Sequence, residues 1–176
     1  MQNGSDIRVW NVLFLCTGNS ARSLLAEAAL ARIGVPRFRA WSAGSQPKSA
    51  PHPLTLETLE ALGYGTANLR SKSWDEFSQA DAPQLDLIFT VCGNAAEEAC
   101  PVWPGHPMTV HWGVEDPAAA TGSKSDVLAF FRSIHDQLLG KVEALVELDR
   151  DGSGASGALD RLSADALRAH LEAIGR

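Results

Sequence analysis

The sequence is poor in cysteine and in basic residues. It has three cysteines, an odd number that argues against a framework of permanent disulfides. Its 15 Lys and Arg are outnumbered by 21 Asp and Glu, which gives a formal net charge of -6 at pH 7. Because nucleic acids and anionic membranes select clustered Lys and Arg, this balance disfavours both as partners. Any anion site must therefore be local.

Long hydrophobic runs are also missing. The apolar run Val9 to Leu15 is too short to span a bilayer or to serve, with its polar flank, as a signal peptide. We therefore expect a cytoplasmic protein without a membrane partner, whose thiols are reduced, reactive or simply buried. The 176 residues, 45% of them hydrophobic, suffice for one sizeable core.

Apolar runs of strand length alternate with segments of helical periodicity. Strands are predicted at Val9–Leu15, Phe38–Ala43, Leu85–Val91 and Met108–Trp112. Helices are predicted from Ser23 to Gly34, at Pro53–Leu62, Trp74–Gln79 and Ser125–Leu148, and from Ser163 to Ile174. This order predicts an α/β three-layer sandwich with a four-stranded parallel sheet, whose ligands bind at the carboxyl ends of the strands. Two of the cysteines, Cys16 and Cys92, follow strands and should share that edge.

The domain organisation is read from one flexible stretch, DGSGASG at Asp151 to Gly157. Residues 1–150 are predicted to form the domain that holds the functional site. Residues 151–176 are predicted to be a linker followed by a C-terminal amphipathic helix.

The segment CTGNSAR, between the first strand and the first helix, has the chemistry of an oxyanion site. It combines a thiol, successive backbone N–H groups at a helix N-terminus and a guanidinium that can grip two oxygens. Gly18 would allow the tight turn. The predicted oxyanion-binding residues are Thr17, Gly18, Asn19, Ser20, Ala21, Arg22 and Ser23.

Cys16 is the predicted nucleophile of this loop. Cysteines at helix N-termini or beside Arg have pKa values lowered to ~3.5–7.5, so we expect a thiolate near neutral pH. Ser23 can donate a hydrogen bond to it, and Asn19 can pin the loop. The alternative, a buried apolar Cys16 and a surface Arg22, is disfavoured by the strand before the loop and the helix after it.

These residues carry a family resemblance. VLFLCTGNSARS resembles the start of the low-molecular-weight protein tyrosine phosphatase superfamily, including its arsenate reductase branch. The likeness continues through WSAG (Trp41–Gly44), CGNAAEEACP (Cys92–Pro101) and HWGVEDPA (His111–Ala118). It implies a flavodoxin-like phosphatase fold, with Asp116 of the Asp-Pro loop as the acid that protonates the leaving oxygen.

The resemblance favours the thioredoxin-coupled reductases over the phosphatases. Alanines follow Asp-Pro, where phosphatases commonly have aromatic residues, and a phosphatase has no use for extra thiols. Cys16 would bind arsenate covalently, Cys92 would attack Cys16 and release arsenite, and Cys100 would then attack Cys92. The segment Gly93–Ala99 would have to move between these steps.

The implied partners are arsenate, with phosphate and sulfate as competitors, and an external thiol reductant such as an NADPH-driven thioredoxin or glutaredoxin system. No tightly bound cofactor is expected. The relay segment is one residue longer than in the best-known thioredoxin-coupled members. Where some relatives have an acidic residue that helps to hold potassium, this chain has Lys72, so no potassium requirement is expected, although Asn19, Glu27 and Ser42 match that site.

Three alternative functions stay open. The first is a protein tyrosine phosphatase, and the second is an oxyanion-binding module without turnover. The third is a zinc site at Cys92, Cys100, His106 and His111, which the spacing of the two cysteines disfavours. We expect no metal.

Overall fold

The computed structural model describes residues 7–98, 101–150 and 156–176. Its sheet has the strand order β2-β1-β3-β4, and all three pairings are parallel. The strands are β1 (Trp10–Cys16), β2 (Phe38–Gly44), β3 (Leu87–Thr90) and β4 (Met108–His111). The predicted α/β class and four-stranded parallel sheet are confirmed.

The central strand β1 is buried on both faces because its side chains alternate between two cores. Val12, Phe14 and Cys16 face the larger core, which contains residues of the helices. Leu13 and Leu15 face a smaller one, covered by Phe77 and neighbouring aromatic residues rather than by a long helix. The second outer layer is therefore thin.

Five α-helices lie in the described residues. They are α1 (Arg22–Ile33), α2 (Pro53–Ala61), α3 (Gly93–Glu97), α4 (Lys124–Leu148) and α5 (Ala164–Gly175), and short 3₁₀ helices lie at Trp74–Ser78, Pro117–Ala119 and Leu159–Arg161. Helix α4 begins where the Ser123 side chain accepts a hydrogen bond from the Asp126 amide. Its apolar stripe, which includes Phe131, Leu138 and Leu145, packs into the larger core.

The C-terminal helix packs on the same chain. Leu167 and Leu171 of α5 are buried in the larger core, and the Trp112 indole donates to the Leu171 carbonyl at 2.8 Å. Lys141 of α4 donates to the carbonyl of Gly175 at 2.9 Å, which satisfies the end of the helix. Most of the predicted linker, residues 151–155, lies outside the described residues.

In the part of the chain that the structure describes, none of the helices has the length and apolar character needed to cross a bilayer.

Candidate functional site

The loop that follows β1 is held from behind by buried hydrogen bonds. Asn19, which is fully buried, adopts the left-handed conformation (φ 43), an arrangement that Asn tolerates better than most residues. Its amide nitrogen donates to Ser23 at 2.8 Å and to Ser42 at 2.9 Å, and its side-chain oxygen accepts from the Lys72 amide at 2.8 Å. The residue that makes the tight backbone turn of the loop is therefore Asn19 and not, as predicted, Gly18.

A second constraint on the loop comes from β2. The last residue of β2, Gly44, lies against Thr17 so closely that a Cβ there would collide with the Thr17 carbonyl oxygen. Only glycine fits at this position. The match of WSAG to the family pattern thus has a physical cause, which is the close packing of β2 on the loop.

Cys16 lies at the carboxyl end of β1, with 4% of its surface exposed. Its sulfur is 2.9 Å from the Ser23 hydroxyl and accepts from the Asn19 backbone amide at 3.2 Å. Burial raises the pKa of the thiol, while these two hydrogen bonds act in the opposite direction. The expectation of a lowered pKa is therefore wrong, because desolvation outweighs the donors around the sulfur.

Arg22 and Asp116 face each other at the mouth of the loop. Arg22 Nη2 is 3.2 Å from Asp116 Oδ2, and Nη1 donates to the Val114 carbonyl at 3.3 Å. The Asp116 side chain also accepts from the Ala118 amide at 3.0 Å, which caps the 3₁₀ helix Pro117–Ala119. The Asp116 side chain is 41% exposed, so solvent reaches the carboxylate.

A pocket of about 220 Å³ opens over this arrangement. The predicted residues that line it are Cys16, Thr17, Gly18, Ser20, Ala21, Arg22 and Asp116. Asn19 and Ser23, also predicted to bind the oxyanion, do not line the pocket. Both are fully buried behind the loop, so their role is to hold it and to donate towards Cys16.

Four further residues line the pocket without having been predicted: Gln46, Lys48, Asn94 and Ala118. The backbone amides of Gln46 and Lys48 donate to the Thr17 and Gly18 carbonyls, each at 2.9 Å. The sequence contained one indication of Gln46 and Lys48. Both follow the carboxyl end of the second predicted strand, and ligands bind to parallel sheets at this edge.

Cys92 lies at the same edge of the sheet, as expected, and is 2% exposed. Its sulfur is 3.7 Å from the Thr17 hydroxyl and accepts from the Ala95 amide at 3.3 Å. A negative charge on Cys92 would raise the pKa of Cys16 by charge repulsion. The third predicted thiol, Cys100, lies outside the described residues.

Beneath the loop lies a buried ion pair. Lys72 Nζ is 3.8 Å from Glu27 Oε2 and donates to the Arg70 carbonyl at 3.1 Å, and the Ser42 hydroxyl donates to Glu27. Burial raises the pKa of Glu27 and lowers that of Lys72, and in each case the partner's charge opposes the shift.

These contacts do not fit a potassium ion, because the Lys72 ammonium already neutralises the Glu27 carboxylate. The absence of a potassium requirement stays a prediction. For the zinc alternative, the described residues contain no group of three or more His, Cys, Asp or Glu side chains that could hold a metal ion.

Comparisons with known proteins agree with the loop motif. The family model described as low molecular weight phosphotyrosine protein phosphatase matches residues 11–153, and the chain belongs to this family. Among curated proteins, the arsenate reductase of Bacillus subtilis (strain 168) is 32% identical over 136 residues, which cover 77% of this chain and 94% of that protein.

Solved structures give the same result. One described as an arsenate reductase in the phosphate binding state has 26% identity and a TM-score of 0.60, and the match covers 79% of this chain and 98% of that one. Another, an arsenate reductase in oxidized state, has 26% identity and a TM-score of 0.63, over 78% and 96% of the two chains.

Proposed function

We propose that the protein is an arsenate reductase. The observation that carries the proposal is the second thiol: Cys92 is buried beside the Cys16 loop, within 3.7 Å of the Thr17 hydroxyl. Ester hydrolysis by Cys16, Arg22 and Asp116 would not need it, whereas the reduction of arsenate requires two electrons that a pair of thiols can supply. The similarity to arsenate reductases, one of them in an oxidized state, supports the same reaction.

In the first step, Cys16 attacks arsenic and forms a sulfur–arsenic bond, while one arsenate oxygen leaves as water. Arg22 holds two of the remaining oxygens through its guanidinium fork. Burial raises the pKa of Cys16, so the thiol proton has to be taken up as the sulfur attacks. An arsenate oxygen can accept this proton during the attack, and Asp116 protonates the leaving hydroxyl.

In the second step, the Cys92 sulfur attacks Cys16. A disulfide forms, the sulfur–arsenic bond breaks and its electron pair stays on arsenic, which leaves as arsenite. Cys100 then attacks Cys92, forming a Cys92–Cys100 disulfide and freeing Cys16 as a thiol. An external dithiol of the thioredoxin or glutaredoxin type, reduced at the expense of NADPH, takes up the oxidation.

An activity assay tests the proposal. Purified protein with thioredoxin, thioredoxin reductase and NADPH should oxidise NADPH when arsenate is added, and a parallel arm with glutaredoxin and glutathione distinguishes the reductants. Cys16→Ser should abolish arsenate reduction and aryl phosphate cleavage. Cys92→Ala and Cys100→Ala should stop multiple turnovers but spare ester cleavage.

The outcomes separate the three candidate functions. Brisk aryl phosphate cleavage without arsenate-dependent NADPH oxidation in either arm would identify a phosphatase. Anion binding retained by Cys16→Ser, with no turnover by the wild type, would identify a binding module. Equal multiple-turnover rates for the wild type and Cys100→Ala would remove Cys100 from the relay.

The phosphatase reading has one observation in its favour, because Cys16, Arg22 and Asp116 already surround one pocket. The wall beside Asp116 argues against an aryl substrate. It is formed by Ala118, in the 3₁₀ helix Pro117–Ala119, and a methyl group offers no aromatic face on which a phenyl ring could stack. Residual activity on small phosphate esters is therefore expected.

A further inference from the structure

A carboxylate is linked to the second thiol through the hydroxyl group of Thr17. The Thr17 hydroxyl donates to Glu98 Oε1 at 3.4 Å and lies 3.7 Å from the Cys92 sulfur. The other carboxylate oxygen, Glu98 Oε2, is buried and has no hydrogen-bond partner among the described residues. Thr17 thus stands between Cys92 and Glu98.

The direction of these hydrogen bonds follows from the proton count. A threonine hydroxyl has a single hydrogen, and a carboxylate can only accept, so Thr17 gives its hydrogen to Glu98. Its oxygen then offers a lone pair to Cys92, whose S–H group donates. The chain Cys92–Thr17–Glu98 is therefore oriented for a proton to leave Cys92.

Cys92 needs a group that accepts its proton. The thiolate is the nucleophile in disulfide exchange, so the sulfur must lose its proton before or during its attack on Cys16. With 2% of Cys92 exposed, bulk water has little access to that proton. We propose that Glu98 accepts the Cys92 proton through the Thr17 hydroxyl in the second chemical step. Glu98 acts through Thr17 and does not touch the reacting atoms, so it is a positioning residue. The inference rests on the proposed arsenate reductase function.

The second chemical step moves a proton to Glu98 and two electrons to arsenic. The S–H bond of Cys92 breaks, its proton moves to Thr17, and the Thr17 hydroxyl hydrogen moves to Glu98. The Cys92 sulfur bonds to the Cys16 sulfur, and the sulfur–arsenic bond breaks with its electron pair left on arsenic. Two thiol sulfurs are oxidised to a disulfide, and As(V) is reduced to As(III).

The unpartnered oxygen of Glu98 supports this role. A buried carboxylate oxygen without a donor costs free energy, so this oxygen is available to accept a new hydrogen bond. Hydrogen bonds of 3.4 and 3.7 Å are long, but those of catalytic sites often shorten only when the substrate is bound.

The test is a single turnover without thioredoxin. Reduced protein is mixed with excess arsenate, and arsenite release is followed from pH 6 to pH 10. Glu98→Gln should slow release about 100-fold at pH 7, a typical effect of losing a proton acceptor. Its rate should approach that of the wild type at high pH, where hydroxide takes the proton. The neighbouring Glu97 is exposed, so Glu97→Gln should stay within twofold of the wild type.

Circular dichroism and urea unfolding report whether each variant folds. If Glu98→Gln does not fold, Glu98→Ala replaces it and should show the same pH-dependent defect in arsenite release. Wild-type release by Glu98→Gln, or the same slowing at every pH, would overturn the inference. A wild type that releases no arsenite would instead overturn the proposed function.

Discussion

The nucleophile depends on one hydroxyl group for much of its acidity. The Asn19 side chain donates to Ser23 Oγ at 2.8 Å, so the hydroxyl hydrogen of Ser23 is free to point at the Cys16 sulfur 2.9 Å away. This hydrogen bond lowers the pKa of Cys16 against the effect of burial. Hydrogen bonds to charged groups contribute about 1.5–3 kcal/mol.

We predict that Ser23→Ala raises the pKa of Cys16 further. Since the thiolate is present above the pKa, the variant should react with iodoacetamide roughly tenfold more slowly at pH 7 and recover as the pH is raised. Mass spectrometry of the alkylated Cys16 peptide measures the rate. Ser133→Ala, on the exposed surface of α4, is the matched control. An unchanged pH profile for Ser23→Ala would contradict the prediction.

Site residues were predictable where a continuous stretch of sequence carries the chemistry. Cys16, Arg22 and Asp116 were found from the loop motif and the Asp-Pro resemblance, and they do meet at one pocket. The pKa of Cys16 was not predictable, because it depends on how deeply the sulfur is buried. Lys48 was missed because its place over Gly18 is set by the packing of the segment that follows β2.

At the scale of elements, the oxyanion loop rests on a pair of opposite charges. Lys72 and Glu27 come from different segments, and their side chains are 6% and 14% exposed. Removing one member of a buried ion pair leaves the other charge buried without a partner, whereas removing both charges does not.

We predict that Lys72→Met lowers the free energy of unfolding by about 2–3 kcal/mol at pH 7, and that the double variant Glu27→Gln/Lys72→Met loses less. Without the lysine, the pKa of Glu27 stays above its unfolded value. The folded protein then binds a proton more tightly than the unfolded chain, so the deficit should shrink as the pH falls. Urea unfolding at pH 5 and pH 7 measures both effects, and additive losses in the double variant would refute the coupling.

Most elements were predictable from periodicity, and the exception is informative. The predicted strands and longer helices agree with the structure to within about two residues, the scatter usual at element ends. Helix α3 (Gly93–Glu97) was not predicted, because five residues are too short for a periodic signal. It is defined instead by Cys92, whose sulfur accepts from the Ala95 amide. That Gly93–Ala99 moves during turnover stays a prediction.

At the scale of the whole molecule, one arginine joins the two ends of the described chain. Arg37 donates to both oxygens of Asp149 at 2.7 and 2.8 Å and to Asp160 at 2.9 Å. Asp149 also accepts from the Leu159 amide at 3.3 Å, and Asp160 accepts from the Trp10 indole at 2.9 Å. The C-terminal segment is thereby tied to the start of β1. The predicted boundary at residue 150 divides the sequence into residues 1–150 and 151–176. The contacts of Arg37 and Asp149 with the C-terminal segment cross this boundary.

We predict that Asp149→Ala lowers the free energy of unfolding by about 3–5 kcal/mol, because it leaves Arg37 buried without its main partner. The side chains of Arg37 and Asp149 are 5% and 2% exposed, whereas Asp160 is 31% exposed. Asp160→Ala should therefore cost about 1 kcal/mol. Urea unfolding of the two variants provides the comparison, and similar losses would show that the buried pair is not the anchor.

The pairing of β1 with β3 has a consequence for how the protein withstands heat. Leu15 lies opposite Thr90, so Cys16 and Cys92 are neighbours in space although they are far apart along the chain. A bridge between them would close a ring of roughly 75 residues, which destabilises the denatured chain by about 4.5 kcal/mol through lost conformational entropy. Each turnover would pass through a form that melts at a higher temperature than the resting enzyme, so thermal resistance would rise and fall with the catalytic cycle.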